Sequence, residues 1–283
     1  DLKDFVARFG ASANRSSQAQ SRVKEIEKLE ASMTVRRSNV VRPYIKFAIE
    51  KPSGRDVLRA DAISKSFGDK VIFKDFSLNI NRGDKLAVIG PSGIGKSTLL
   101  KMLVDEYKTD AGAITWGHET SVGYFAQDHH ESLEQGFTAY DWLRRFDDDA
   151  TTEQVRSCLG KLLFSGDSGL KLTQNLSGGE AARLLLAKMM LLENNVFVMD
   201  EPTNHLDVES IDALLEALVE YKGTVIVTSH DRHFVGKLGT RILELSSEGP
   251  RLFSGTYDEF LERHGTEYLR QDEDTSRSRR AAQ

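Results

Sequence analysis

Gly90-Pro91-Ser92-Gly93-Ile94-Gly95-Lys96-Ser97-Thr98 fits G-x-x-x-x-G-K-[ST], the pattern of a phosphate-binding loop. The apolar run Lys85–Ile89 before it reads as a buried strand, and Leu99, Leu100 and Leu103 after it recur at helical spacing. Strand, glycine-rich turn and helix are the context the pattern needs. Glycines let the backbone curl so that successive N–H groups point inward, and the new helix adds its positive end. Lys96 is predicted to reach the β- and γ-phosphates and Ser97 to bind Mg²⁺ through its hydroxyl. The stretch predicts a nucleoside-triphosphate site built from Gly90 to Thr98.

Two further motifs follow in the chain. Val196-Phe197-Val198-Met199-Asp200-Glu201 is an apolar strand ending in two carboxylates. After a phosphate loop, that position supplies an aspartate for Mg²⁺, which assigns Asp200, and Glu201 stands where a base could polarise the attacking water. Leu176-Ser177-Gly178-Gly179-Glu180 opens a helix leading to that strand. Ser177 can cap the helix, and Gly178 and Gly179 would let a phosphate approach its N–H groups. Taken singly, a strand ending in surface charges and a helix cap without a ligand read as well. The three together are specific.

Composition limits the alternatives. No apolar run approaches the ~20 residues needed to cross a bilayer. Cys158 is the single cysteine of 283 residues, which excludes an internal disulfide and points to the cytoplasm. Its spacing with Val155, Leu159 and Leu162 reads as core filling. The net charge of −5 hides an asymmetry: residues 1–51 hold 11 Lys and Arg against 6 Asp and Glu, and the remainder is net acidic. A basic segment on an acidic body points to the segment as the part that meets a polyanion.

Along the chain, Leu2, Phe5, Val6 and Phe9 form one apolar stripe, and Ala19, Val23, Ile26, Leu29 and Met33 form another. These predict an αα-hairpin over 1–35, followed by an extended connector over 36–56 with Pro43, Pro52 and Gly54. Val57–Phe67 and Val71–Ile80 read as a hairpin turning at Gly68-Asp69. Short strands are expected at Ala113–Trp116, Ser121–Phe125, Val196–Met199 and Thr224–Thr228. Helices are expected at Thr138–Phe146, Thr152–Phe164, Gly179–Leu192 and Ser210–Tyr221. The alternation implies an α/β fold with a mainly parallel sheet, an antiparallel β subdomain and a helical subdomain over about 128–192. A charged tail runs over 263–283.

With these motifs in order, the stretch 57–262 resembles the nucleotide-binding domain of the ATP-binding cassette family, a P-loop NTPase. The resemblance implies ATP and Mg²⁺ as ligands and hydrolysis of ATP as the activity. It implies that Phe67 stacks on adenine, that Gln127 contacts Mg²⁺ and water, and that His230 contacts the γ-phosphate. Catalysis is then carried by Glu201, His230, Lys96 and Gln127, with the metal on Ser97, Gln127 and Asp200. It also implies that Ser177–Glu180 face the ATP of a partner cassette, and that Leu206-Asp207 crosses between the two.

Tyr124-Phe125-Ala126-Gln127-Asp128-His129, Glu201-Pro202-Thr203-Asn204-His205-Leu206-Asp207 and Ser254–Leu261 are similar to the ABC-F branch, which lacks membrane domains and acts on the ribosome. In that branch a basic helical hairpin joins two cassettes and reaches toward P-site tRNA. The resemblance makes this chain the linker and second cassette, beginning at Asp1 without the first. The implied partners are the first cassette (or a homodimer mate), and the ribosome with its tRNA and rRNA; no membrane is expected. Arg8, Arg15, Arg22 and Lys24 are the candidate RNA contacts, and a solvated helix face is the other reading of them. The alternative function is the ATPase subunit of a membrane transporter with a separate permease.

Overall fold

The computed structural model describes residues 42–164 and 166–264. The helical hairpin expected over 1–35, its candidate RNA contacts, connector residues 36–41 and the tail from 265 onward lie outside the described residues. From residue 42 the chain runs extended, with Pro43, Ile45 and Phe47 turned inward and Arg42, Tyr44 and Lys46 outward. The Phe47 ring meets Phe197 edge-on at 4.7 Å. The Tyr44 N–H donates to the Lys161 carbonyl at 2.8 Å. This part of the connector is therefore a strap packed on the domain.

Asp56–Phe67 (β1) and Lys70–Asn81 (β2) pair antiparallel across Gly68-Asp69, with Phe67 opposite Lys70. Lys85–Ile89 (β3) leads through the phosphate loop into Lys96–Leu103 (α1). Ala111–Trp116 (β4) returns to the far edge of β1, giving a small antiparallel sheet of order β2-β1-β4. Val122–Phe125 (β5) begins the excursion into the helical subdomain, which holds Ala139–Arg144 (α2), Thr152–Lys161 (α3) and Gly178–Leu191 (α4). Then come Val196–Asp200 (β6), Val208–Glu220 (α5), Thr224–Thr228 (β7) and Arg232–Leu238 (α6). Arg241–Ser246 (β8), Gly249–Ser254 (β9) and Tyr257–His264 (α7) complete the described chain.

The second sheet has the order β5-β6-β7-β3-β8-β9 and is parallel except for its last pair. β3, β6 and β7 are buried at every position, as strands are when both faces of a parallel sheet are covered. Leu99, Leu100 and Leu103 of α1 pack on one face against Leu86, Val88, Val198 and Ile226. Helices α4, α5 and α6 cover the other, against Ala87, Phe197, Met199 and Val227. Cys158 lies half-buried at the margin of this second core and not inside it. The α3 helix stops at Lys161, short of the expected Phe164, because Leu163 turns left-handed at φ +67°. Among the described residues no helix is long and apolar enough to cross a membrane.

Parallel strands bring their carboxyl ends to one edge of the sheet, where ligands of open α/β folds bind. Here that edge carries the phosphate loop after β3, Asp200 and Glu201 at the end of β6, and His230 just past β7.

Candidate functional site

The loop after β3 is shaped by close approach. Gly95 has φ +121°, and a Cβ there would lie 2.4 Å from Ile72 Cγ2 on β2, so any other residue would be strained at that φ and would have to displace the Ile72 side chain. Lys96 opens α1 and is 8 % exposed. Its Nζ donates to the Gly90 carbonyl at 2.6 Å and reaches the Pro91 carbonyl at 3.3 Å. The ammonium thus sits inside the curve of the loop, where inward N–H groups and a helix start would favour an anion. A cleft of about 390 Å³ gathers Ser92, Gly93, Gly95, Lys96, Ser97 and Thr98 with Phe67, Gln127, Glu201 and His230. Residues spread over most of the chain meet there. Lys70, which the sequence reading passed over, lines the same cleft and donates to the Gly93 carbonyl at 3.1 Å.

Asp200 is 1 % exposed. Its Oδ1 accepts from Thr228 Oγ1 at 2.7 Å, while Oδ2 is buried with no hydrogen-bond partner among the described residues. Ser97, Gln127 and Asp200 line a second cavity, of about 880 Å³, that adjoins the phosphate-loop cleft. An orphaned carboxylate oxygen beside a hydroxyl and an amide oxygen fits a hard divalent cation. These three residues would hold Mg²⁺, which supplies charge neutralisation at the phosphates when bound.

Glu201 turns left-handed at φ +49° and is 4 % exposed. Such a backbone in a non-glycine residue stores strain that the surroundings must hold. Its own N–H donates to Thr228 Oγ1 at 2.9 Å. Its Oε2 accepts from the His230 N–H at 3.1 Å, and the His230 Nε2 approaches Oε1 at 3.2 Å. That second approach is an ion-pair distance without hydrogen-bond alignment, which leaves Oε1 unsatisfied. Burial pushes the Glu201 carboxyl above its ordinary range, against the opposing pull of His230 and Lys96. A carboxylate with raised proton affinity is suited to accept a proton from water.

Phe67 is 46 % exposed at the end of β1 and makes an edge contact with Tyr107 at 5.7 Å. It is not a core aromatic, so its surface is available to a base. Thr228 and Tyr107 are site residues that sequence reasoning missed; the signal for Thr228 was a polar side chain closing a strand that is apolar from Val225 to Val227.

Ser177 caps α4 in a reciprocal box: its Oγ accepts from the Glu180 N–H, and Glu180 Oε2 accepts from the Ser177 N–H at 2.9 Å. Lys171 also donates to Glu180 Oε1 at 2.6 Å. Burial raises the Glu180 pKa, but these bonds outweigh it and hold the carboxyl below its usual range. The glycines that follow meet protein: a Cβ at Gly179 would lie 2.8 Å from the His205 carbonyl oxygen. Ser177–Glu180 do not line the phosphate-loop cleft, and Gly178 lines only the adjoining cavity.

The family described as "ABC transporter" matches residues 73–204, and a second one of the same description matches residues 1–47. The chain is 44% identical over 268 residues to "Probable ATP-binding protein YbiT" of Escherichia coli O157:H7, covering 94% of this chain and 50% of that protein. It is 37% identical to "ABC transporter F family member 5" of Arabidopsis thaliana, covering 93% of this chain and 38% of that protein. The chain belongs to the ATP-binding cassette family, in its ABC-F branch. The cassette fold is also that of a dimeric post-hydrolysis state of the ATP-binding cassette MJ0796 bound to ADP and Pi. That match has a TM-score of 0.60 at 22% identity, over 70% of this chain and 98% of the other. The chain spans about half the length of the YbiT relative and 38% of the Arabidopsis one.

Proposed function

We propose that this chain is the linker and second cassette of a ribosome-associated ABC-F factor. It binds ATP and Mg²⁺ at the cleft of Gly90–Thr98 and hydrolyses ATP with Glu201 as the base. The observation that carries the reading is the separation of Ser177–Glu180 from the cleft around Lys96. Of that stretch only Gly178 reaches the adjoining cavity, and none of it lines the cleft of Lys96, which supports a role toward a phosphate presented by a facing cassette. The MJ0796 cassette, described as dimeric and bound to ADP and Pi, supports that arrangement.

In this reading Lys96 and the loop N–H groups bind the β- and γ-phosphates, and Phe67 receives the adenine. Ser97, Gln127 and Asp200 hold Mg²⁺. Glu201 accepts a proton from the attacking water, its carboxylate held by the His230 backbone N–H, and the His230 ring contacts the γ-phosphate. Triphosphate bridging two cassettes favours the closed pair, and hydrolysis removes that preference. Closure would move the basic linker of residues 1–35 toward tRNA and rRNA in the cytoplasm.

The test is ribosome pelleting of the whole protein carrying Glu201→Gln. With ATP it should co-sediment with ribosomes, and charge reversal at Arg15, Arg22 and Lys24 should release it. Co-sedimentation with membranes instead would favour a transporter ATPase.

A further inference from the structure

The cleft that holds Lys96 contains a second lysine. Lys70 is the first residue of β2, and across Gly68-Asp69 it stands opposite Phe67, the last residue of β1. Directly opposed residues of an antiparallel pair put their side chains on one face, with Cβ atoms about 5 Å apart. Ile72 follows two positions on, so the pleat turns it to the same face as Lys70. All three line the cleft of the phosphate loop. A Cβ on Gly95 would meet Ile72 Cγ2 at 2.4 Å, and the Lys70 Nζ donates to the Gly93 carbonyl at 3.1 Å. One face of the hairpin tip thus lies against the loop, with an aromatic ring and a cation side by side.

Charge balance separates this lysine from its neighbour on β1. Lys65, whose Nζ lies 5.3 Å from the centre of the Phe67 ring, is matched by Asp110 at 2.8 Å. Lys70 is exposed, and among the described residues it has no carboxylate within ion-pair distance. A carbonyl oxygen holds its donor without neutralising its charge. The lining of the cleft includes two lysines and one carboxylate, that of Glu201. Such a balance favours a polyanion.

A nucleoside triphosphate with its base on Phe67 and its β- and γ-phosphates at Lys96 has the ribose and the α-phosphate in between. We propose that Lys70 is a further substrate-binding residue, whose ammonium takes the α-phosphate of the nucleotide. Its pairing with Phe67 fixes it on the base side, and its bond to Gly93 shows that it reaches the loop. An ammonium has three donors, so it can keep the Gly93 carbonyl while donating to a phosphate oxygen. It supplies charge where Lys96, committed to the two outer phosphates, does not. The base platform and the α-phosphate cation then act from one hairpin tip, which makes the site one for nucleotides and not for phosphate chains alone.

The inference rests on the proposed nucleotide site, and one set of titrations keeps their failures apart. Calorimetry compares ATP, ADP and pyrophosphate, each with Mg²⁺, on the wild type, Lys70→Met and Lys70→Arg. Lys70→Met keeps the aliphatic stem of an exposed side chain and removes its charge. It should lose about tenfold in affinity for ATP and for ADP, as expected for one charge-assisted hydrogen bond. Lys70→Arg should recover most of that loss. Pyrophosphate fills only the positions at Lys96 and should bind all three proteins alike. If Lys70→Met binds ATP as the wild type does, the contact is absent. If pyrophosphate binding falls in parallel, Lys70 only braces the loop through Gly93, and the assignment to the α-phosphate is overturned. If the wild type binds none of the three ligands, the nucleotide site itself falls.

Discussion

Thr228 Oγ1 donates to Asp200 Oδ1 at 2.7 Å and accepts the Glu201 N–H at 2.9 Å, so one hydroxyl sets both acidic residues. Asp200 and Thr228 are register partners at the ends of neighbouring parallel strands. The hydroxyl fixes which Asp200 oxygen is left over for a cation, and it anchors the strained turn of Glu201. Thr228→Val keeps the shape and removes both bonds. It should cost about 1–3 kcal/mol, the range for stranding buried polar groups. It should also raise the Mg²⁺ concentration needed for nucleotide binding. Chemical denaturation and Mg²⁺ titration would check the two effects separately.

Glu201→Gln keeps the size of the side chain and removes its capacity to accept a proton. Hydrolysis should fall by about 10²–10⁴-fold, the usual range for a lost general base. ATP affinity should stay close to wild type. Phosphate release at matched nucleotide occupancy is the measurement, and near-normal turnover would remove Glu201 from the base role.

Phe67→Ala tests the adenine platform. Stacking on an aromatic contributes about 1–3 kcal/mol per base, which is roughly a 5- to 150-fold loss of ATP affinity. Inorganic triphosphate has no base and should bind equally well to both proteins. Parallel loss for the two ligands would show that the substitution had disturbed the loop instead.

Lys85 offers a pH test away from the site. Its Nζ donates to the Tyr221 carbonyl at 2.7 Å and the Gly223 carbonyl at 2.9 Å, tying the start of β3 to the turn before β7. Burial, with Lys222 adding, lowers its pKa from 10.5 to about 8. Between those values the unfolded chain holds a proton that the native chain has shed. This residue's contribution to stability therefore rises with pH through that window, and its cost is complete below about pH 8. Denaturation midpoints at about pH 7.5 and about pH 9.5 should rise more in wild type than in Lys85→Met. An equal pH response in both would contradict the assignment.

The motifs were legible because they are local. Gly90–Thr98 encodes a turn whose shape follows from its own glycines and the helix it starts, and Ser177–Glu180 encodes its own capping box. The β1–β2 hairpin was legible for the same reason, through Gly68-Asp69. The helix α6 was passed over, being seven residues with a short apolar pattern. The packing of Pro43, Ile45 and Phe47 was also missed, although they alternate with Arg42, Tyr44 and Lys46, because Pro43 and Pro52 led the stretch to be read as a connector. Gly178 and Gly179 were read as making room for phosphate; a Cβ on either would also crowd His205.

Sequence alone determined the phosphate-loop turn, the strand that ends in two carboxylates and the capping box of α4, because such motifs depend on neighbours within a few positions. Only the tertiary structure decided that Thr228 serves two carboxylates. It also decided that the start of α4, with Ser177, stands outside the cleft of Lys96. Those relations depend on the order β5-β6-β7-β3-β8-β9, which brings distant strand ends to one edge. Burial then sets the proton affinity of what meets there, and neither quantity is written in any short stretch of chain.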